Sequence, residues 1–191
     1  MKINLYMFHP VTAVLGPGKR FAIWTQGCNR CCEGCMSPES RDFSKGTVWD
    51  TNEIANKIIK TEGIEGVTIS GGEPFLQAEA ICDIIDIIKR FYNFSIIIYS
   101  GYLYRELQEL DNIFVKKLLF NTDLLIDGPY INEYNDGISL RGSSNQKVIQ
   151  ISKRYENDIG IYNNKERNVE VIIQSDDKAR IIGIPPKDSN L

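Results

Sequence analysis

Short apolar runs alternate along this chain with longer segments whose apolar residues recur every three or four positions. That is the pattern of strand and helix units around a mainly parallel sheet, an α/β fold. RFAIWTQG (20–27) is almost continuously apolar, as suits a strand covered on both faces, and Trp24 reads as core. DTNEIANKIIK (50–60) opens on a polar group resembling a capping box and sets Ile54, Ala55, Ile58 and Ile59 on one helical face. GVTIS (66–70) is predicted as a second strand, and residues 77–92 as the clearest helix, with Ile81, Ile84, Ile85 and Ile88 at helical spacing. SIIIYS (95–100) is a third strand, after which Leu103, Leu107 and Leu110 share one face of a helix; LLID (124–127) and KVIQIS (147–152) are further strands. Residues 128–146, GPYINEYNDGISLRGSSNQ, show neither period and predict a long loop, a length more often functional than idle in compact domains. The tail NVEVIIQSDDKARIIGIPP predicts an antiparallel hairpin over 168–184, turning at Ser-Asp-Asp and added to the sheet.

Composition narrows the class without changing this picture. At 191 residues, 42% apolar and 25% charged, the chain supports a single domain over 1–191 whose core needs no disulfides. Its net charge of −3 and its scattered Lys and Arg give no basic stripe, which argues against nucleic acid or an anionic membrane as partner. No apolar run approaches the roughly 20 residues that span a bilayer. The opening MKINLYMFHPV lacks a small-residue cleavage site, so a cytoplasmic protein is expected.

Four of the five cysteines, Cys28, Cys31, Cys32 and Cys35, fall within eight residues. A reducing compartment and the adjacency of Cys31 and Cys32 argue against disulfides, whereas clustered thiolates suit a metal or an iron–sulfur cluster. Three ligands can be chosen as Cys28, Cys32 and Cys35 or as Cys28, Cys31 and Cys35. Either set leaves one coordination position open, as a reactive rather than a structural site requires. A zinc site completed by His9 or by the fourth cysteine is the plainer alternative. Cys82, on the flank of the best helix, reads as packing, and His9 as structural. The cysteine loop follows the first predicted strand, Gly71-Gly72-Glu73-Pro74 the second and Ser100-Gly101 the third, while Asp127-Gly128 ends the fourth. Ligands bind at the carboxyl ends of parallel strands, so these loops should converge on one site.

The C-x3-C-x2-C spacing after a strand, with GGEP after the next, resembles the radical S-adenosylmethionine (SAM) superfamily. GPGKR, QGC, GGEP, SGY, DLLIDGPY and RGSSNQKVI, in that order, are similar to the activating enzymes of anaerobic (class III) ribonucleotide reductase. The resemblance implies a partial, open (β/α) barrel in which Cys28, Cys32 and Cys35 hold a [4Fe-4S] cluster and Cys31 is not a ligand. It implies that Gly71 and Gly72 let the backbone approach SAM without a Cβ in the way, with Glu73 accepting from its ammonium. Ser100 and Asp127 would hydrogen-bond the ribose or amino group, unless they are only turn and capping residues. Reduction by flavodoxin or ferredoxin would cleave SAM to a 5′-deoxyadenosyl radical, which takes hydrogen from a glycine of a glycyl-radical partner enzyme. Arg141 and Asn145 of the long loop would receive that partner's peptide.

Two other functions compete with this one. CMSPE replaces the aromatic residue and Asn that usually follow the last cysteine in the reductase activases, which favours a radical SAM enzyme acting on a small molecule or peptide. A non-catalytic iron–sulfur or zinc module would need neither GGEP nor polar residues at the strand ends.

Overall fold

The computed structural model describes residues 1–158, 165–173 and 179–186. In chain order its elements are β1 (Lys2–Thr12), β2 (Arg20–Thr25), β3 (Thr47–Asp50), α1 (Thr51–Lys60), β4 (Gly66–Gly71), α2 (Ala78–Ile88), β5 (Ser95–Tyr99), α3 (Tyr104–Glu109), α4 (Ile113–Phe120), β6 (Leu124–Asp127), β7 (Lys147–Gln150), β8 (Val169–Ile173) and β9 (Ala179–Gly183). Seven strands form one mixed sheet in the order β3-β1-β2-β4-β5-β6-β7. Its centre, β2-β4-β5-β6, is parallel; β1, β3 and β7 pair antiparallel at the flanks.

Alternation along the strands gives the sheet two different faces. Phe21 and Ile23 of β2, Val67 and Ile69 of β4, Ile96 and Ile98 of β5 and Leu125 of β6 pack beneath the helices. Ile54, Ala55 and Ile58 of α1, four isoleucines of α2, and Val115 and Leu118 of α4 complete that layer. Helix α1 begins as predicted: the Asp50 carboxylate accepts from Asn52 N at 2.9 Å, and Glu53 accepts from Asp50 N at 3.4 Å.

The opposite face carries Arg20, Ala22 and Trp24 of β2 and Ile97 and Tyr99 of β5. At its amino end, Arg20 is fully buried and donates to Thr68, Ser95 and Tyr155 side chains and to the Pro17, Val67 and Ser95 carbonyls. That polar plug leaves the carboxyl end of the same face for a cavity.

Several expectations need correction. The N-terminal residues, for which the sequence pattern predicted no element, form a long strand, β1, paired with both β2 and β3. The helix expected to carry Leu103, Leu107 and Leu110 is two short helices, and of those leucines only Leu107 is buried. β8 and β9 pair antiparallel but make a separate two-stranded sheet instead of extending the large one. Ile182 and Ile172 place that hairpin against Leu15, Ala22 and Trp24 on the inner face. Its expected Ser-Asp-Asp turn lies outside the described residues.

Candidate functional site

The loops after the parallel strands meet at one cavity. Cys28, Cys32, Cys35, Gly71, Gly72 and Glu73 line it, together with Ser100, Gly101 and Gly128 from the next two strand ends. The first three thiols are half-buried, whereas Cys31 is exposed and does not line the cavity. Burial raises the pKa of Cys28, and the Arg30 backbone N–H donates to its sulfur at 3.4 Å.

Backbone hydrogen bonds continue the β2–β4 pairing beyond the strands and fix the two loops against each other. Gly72 N donates to Thr25 O at 2.8 Å and Glu73 N to Gly27 O at 2.9 Å, while Cys28 N is held by Arg41 O at 3.0 Å. The two glycines serve this contact. A Cβ on Gly71, whose φ is +103°, would lie 2.4 Å from Thr25 N, and one on Gly72 would lie 2.2 Å from Gly27 O. Both glycines line the cavity, and the atoms that a Cβ on either would meet belong to the chain itself.

Glu73 is fully buried and already has three donors. Its Oε1 accepts from Phe75 N at 3.1 Å and Ser100 Oγ at 2.9 Å, and its Oε2 accepts from Gly101 N at 2.8 Å. It therefore joins the loop after β4 to the loop after β5. Asp127 is not among the cavity-lining residues; it accepts from Tyr104 N at the start of α3 and from Lys147 N at the start of β7. Arg141 and Asn145 also lie outside the lining. Arg141 is paired with Asp136, and Asn145 donates to Pro129 O at 2.8 Å. His9, half-buried on β1, does not line the cavity, and Cys82 is buried against Phe114 O.

The sequence model of the 4Fe-4S single cluster domain matches residues 14–149. The anaerobic ribonucleoside-triphosphate reductase-activating protein of Vibrio cholerae is 32% identical over 155 residues, covering 76% of this chain and 97% of that protein. The chain belongs to the radical SAM activating enzymes. Enterobacteria phage T4 has a relative of the same name, 29% identical over 152 residues, covering 76% of this chain and 93% of its own. The pyruvate formate-lyase-activating enzyme of Clostridium pasteurianum is 29% identical over 165 residues, which are 83% of this chain and 65% of that enzyme.

As a radical SAM activating enzyme, the chain uses a [4Fe-4S] cluster and SAM. The cavity's donor set fits them, because three half-buried thiols face it alongside the polar ends of β4 and β5. Sequence reasoning missed other lining residues, among them Trp24, Arg30, Tyr99 and Gln146. Trp24 is half-buried, packing against the small cluster of Leu15, Ala22 and Ile182 while also lining the cavity. Arg30 stacks 4.2 Å over the Tyr102 ring and pairs with Glu106 at 2.9 Å. Gln146 accepts from Gly142 N and donates to Gly128 O, each at 2.8 Å, fixing two more parts of the wall. The alternation of Arg20, Ala22 and Trp24 was the available signal for the inner face. Among the described residues, no helix is long and apolar enough to cross a membrane.

Burial raises the Glu73 carboxyl to about 7, and its three donors only partly oppose the shift. Because the folded value exceeds the unfolded one, stability is greatest below the ordinary carboxyl range and falls as pH rises toward 7. The loss across that window is about 3 kcal/mol. Urea unfolding of the apoprotein at pH 5 and pH 8 measures it. Glu73→Gln is expected to flatten this dependence while losing the Gly101 bond, because an amide cannot accept on both sides. An unchanged slope in Glu73→Gln would assign the titration to another group.

Proposed function

We propose that this enzyme installs a glycyl radical on a partner enzyme of the anaerobic ribonucleotide reductase type. The observation that carries the proposal is one cavity joining Cys28, Cys32 and Cys35 to the Gly71–Glu73 loop and Ser100. The first three would hold the [4Fe-4S] cluster, and the Gly-Gly-Glu loop and Ser100 would hold SAM. When bound and reduced by an external donor, the cluster would supply one electron to the SAM sulfonium, whose bond to C5′ would break to leave methionine and a 5′-deoxyadenosyl radical able to abstract hydrogen. The chain's own residues set where this happens. Glu73 fixes Ser100 and Gly101 beside the thiols, and Gly72 holds the SAM loop against the root of the cysteine loop. Asp127 acts indirectly by capping α3 and starting β7.

Residues 1–191 would form one radical SAM domain with the sheet as a partial, open barrel. Helices on one face, a cavity on the other and no pairing between β3 and β7 among the described residues support that reading. Residues 168–184 would be its C-terminal extension. Flavodoxin or ferredoxin would donate the electron in the cytoplasm, where the cysteines stay reduced. The loop 128–146 would receive the partner's peptide, with Arg141 and Asn145 holding its shape through Asp136 and Pro129.

The test mixes the anaerobically reconstituted enzyme, SAM and a reductant with a glycyl-radical enzyme of the same organism. Electron paramagnetic resonance is expected to show a glycyl doublet that collapses when glycine is deuterated at Cα, with deuterium recovered in 5′-deoxyadenosine. Arg141→Ala should lower this transfer more than it lowers SAM cleavage without partner. SAM cleavage without any partner radical would favour the small-molecule or peptide reading, which Met36 and Ser37 in the cavity wall support. No SAM cleavage at all would leave only a non-catalytic module.

A further inference from the structure

The matched family region ends at residue 149, and the β8–β9 hairpin lies beyond it. This hairpin contributes to the cavity all the same. Gly183 and Ile184 line the cavity, as does Gly142 of the long loop. Two contacts seat the hairpin on the sheet: Ile182, 1% exposed, packs with Leu15 and Ala22, and Glu170 accepts from Ala13 N at 2.8 Å.

A third connection joins the hairpin to the long loop through one side chain. Arg167, just before β8, is 5% exposed. Its Nε donates to Ile138 O at 3.1 Å, its Nη1 to Asn135 Oδ1 at 2.6 Å and Pro185 O at 3.1 Å, and its Nη2 to Arg141 O at 2.6 Å and Gly142 O at 2.8 Å. Those five bonds match the five N–H donors of a guanidinium. Asp136 lies 3.6 Å away and offsets the charge. Only a planar fork with donors on both sides can hold the loop and the end of the hairpin at once. Gly142 bonds directly to this fork, and Ile184 precedes the Pro185 that it holds.

We propose that Arg167 is a positioning residue that sets the outer wall of the cavity and thereby determines which substrate reaches the radical. The identity of that substrate, a glycine-bearing loop, rests on the reading under Proposed function; the clasp itself does not. The wall shared by the long loop and the hairpin must hold its shape while the substrate is oriented. Loosening it is expected to leave the SAM loop and cysteines in place, because the hydrogen bonds of Arg167 go to the long loop and to Pro185.

The test compares wild type with Arg167→Met, which keeps the stem and removes the fork, and with the milder Asn135→Ala. Hydrogen exchange is read on peptides covering 128–146 and 179–186, with β2, β4 and β5 as internal controls. Arg167→Met is expected to lower protection in both segments at least about tenfold, as loss of several charge-assisted bonds requires, with Asn135→Ala smaller in the same direction. SAM cleavage without partner should stay near wild type, while deuterium transferred per SAM cleaved should fall about tenfold. Unchanged protection in both variants would overturn the clasp. Cleavage and transfer falling together would also overturn it, since the defect would then be general to the site. A wild-type enzyme that cleaves no SAM would instead sink the functional reading, with the exchange data still deciding the clasp.

Discussion

Cys32→Ala is expected to abolish both the cluster and SAM cleavage, while Cys31→Ala keeps both. The two residues are adjacent, so the contrast comes from direction alone. Cys32 is half-buried and lines the cavity with Cys28 and Cys35, whereas Cys31 is exposed to solvent. Removing Cys32 leaves one iron without a protein thiolate, and the remaining pair cannot retain a cubane. Moving the ligand to Cys31 would require turning this segment over while Cys28 stays bound to Arg41 O and Gly27 N to Ser40 O. Visible absorbance and iron and sulfide content after anaerobic reconstitution report the cluster, and 5′-deoxyadenosine reports the cleavage. Loss in Cys31→Ala with retention in Cys32→Ala would place the ligands at Cys28, Cys31 and Cys35.

What was legible in the sequence follows from which constraints are local. Strands β2, β4, β5 and β6 are buried along most of their length, so each shows as a short, mainly apolar run, and the isoleucines of α2 mark its buried side directly. β1 did not announce itself because its register shifts between Leu5 and Met7 and again between His9 and Thr12, which breaks the alternation expected of a strand. The division between α3 and α4 carried a signal that went unread. Asn112 caps α4 by accepting from Phe114 N at 2.9 Å, and a helix start at that point ends the preceding one. At the site, the order of loops predicted which backbone segments converge, because strand ends in a parallel sheet share one edge. The side-chain roles of Asp127, Arg141 and Asn145 depend on partners 23, 5 and 16 residues away. Those pairings exist only once the sheet and the long loop are assembled. The Arg167 clasp, with partners 18 to 32 residues distant, lies further still from anything a local pattern shows.

Gly72→Ala is expected to prevent cluster assembly, not merely to weaken SAM binding. Its Cβ would lie 2.2 Å from Gly27 O, 2.7 Å from Gly27 C and 2.9 Å from Ser40 O, all backbone atoms. A flexible side chain could swing away from such a contact, but these atoms carry the hydrogen bonds that start the cysteine loop. Relieving the clash pushes Gly27 outward and moves Cys28, the first thiol, with it. Overpacking of this kind costs roughly 1–3 kcal/mol, and Gly72→Val, with a branched side chain at the same point, costs more. Gly101→Ala is the matched control, since its Cβ would meet the Arg30 side chain at 3.0 Å and Glu73 Oε2 at 3.4 Å, and Arg30 can yield. The control should therefore fold with a full cluster. Thermal melts of the apoproteins and iron content after reconstitution distinguish the two positions. If Gly72→Ala instead holds a full cluster and loses only SAM affinity, then Gly72 serves the ligand directly and the contact between the two loops is soft enough to absorb a methyl group.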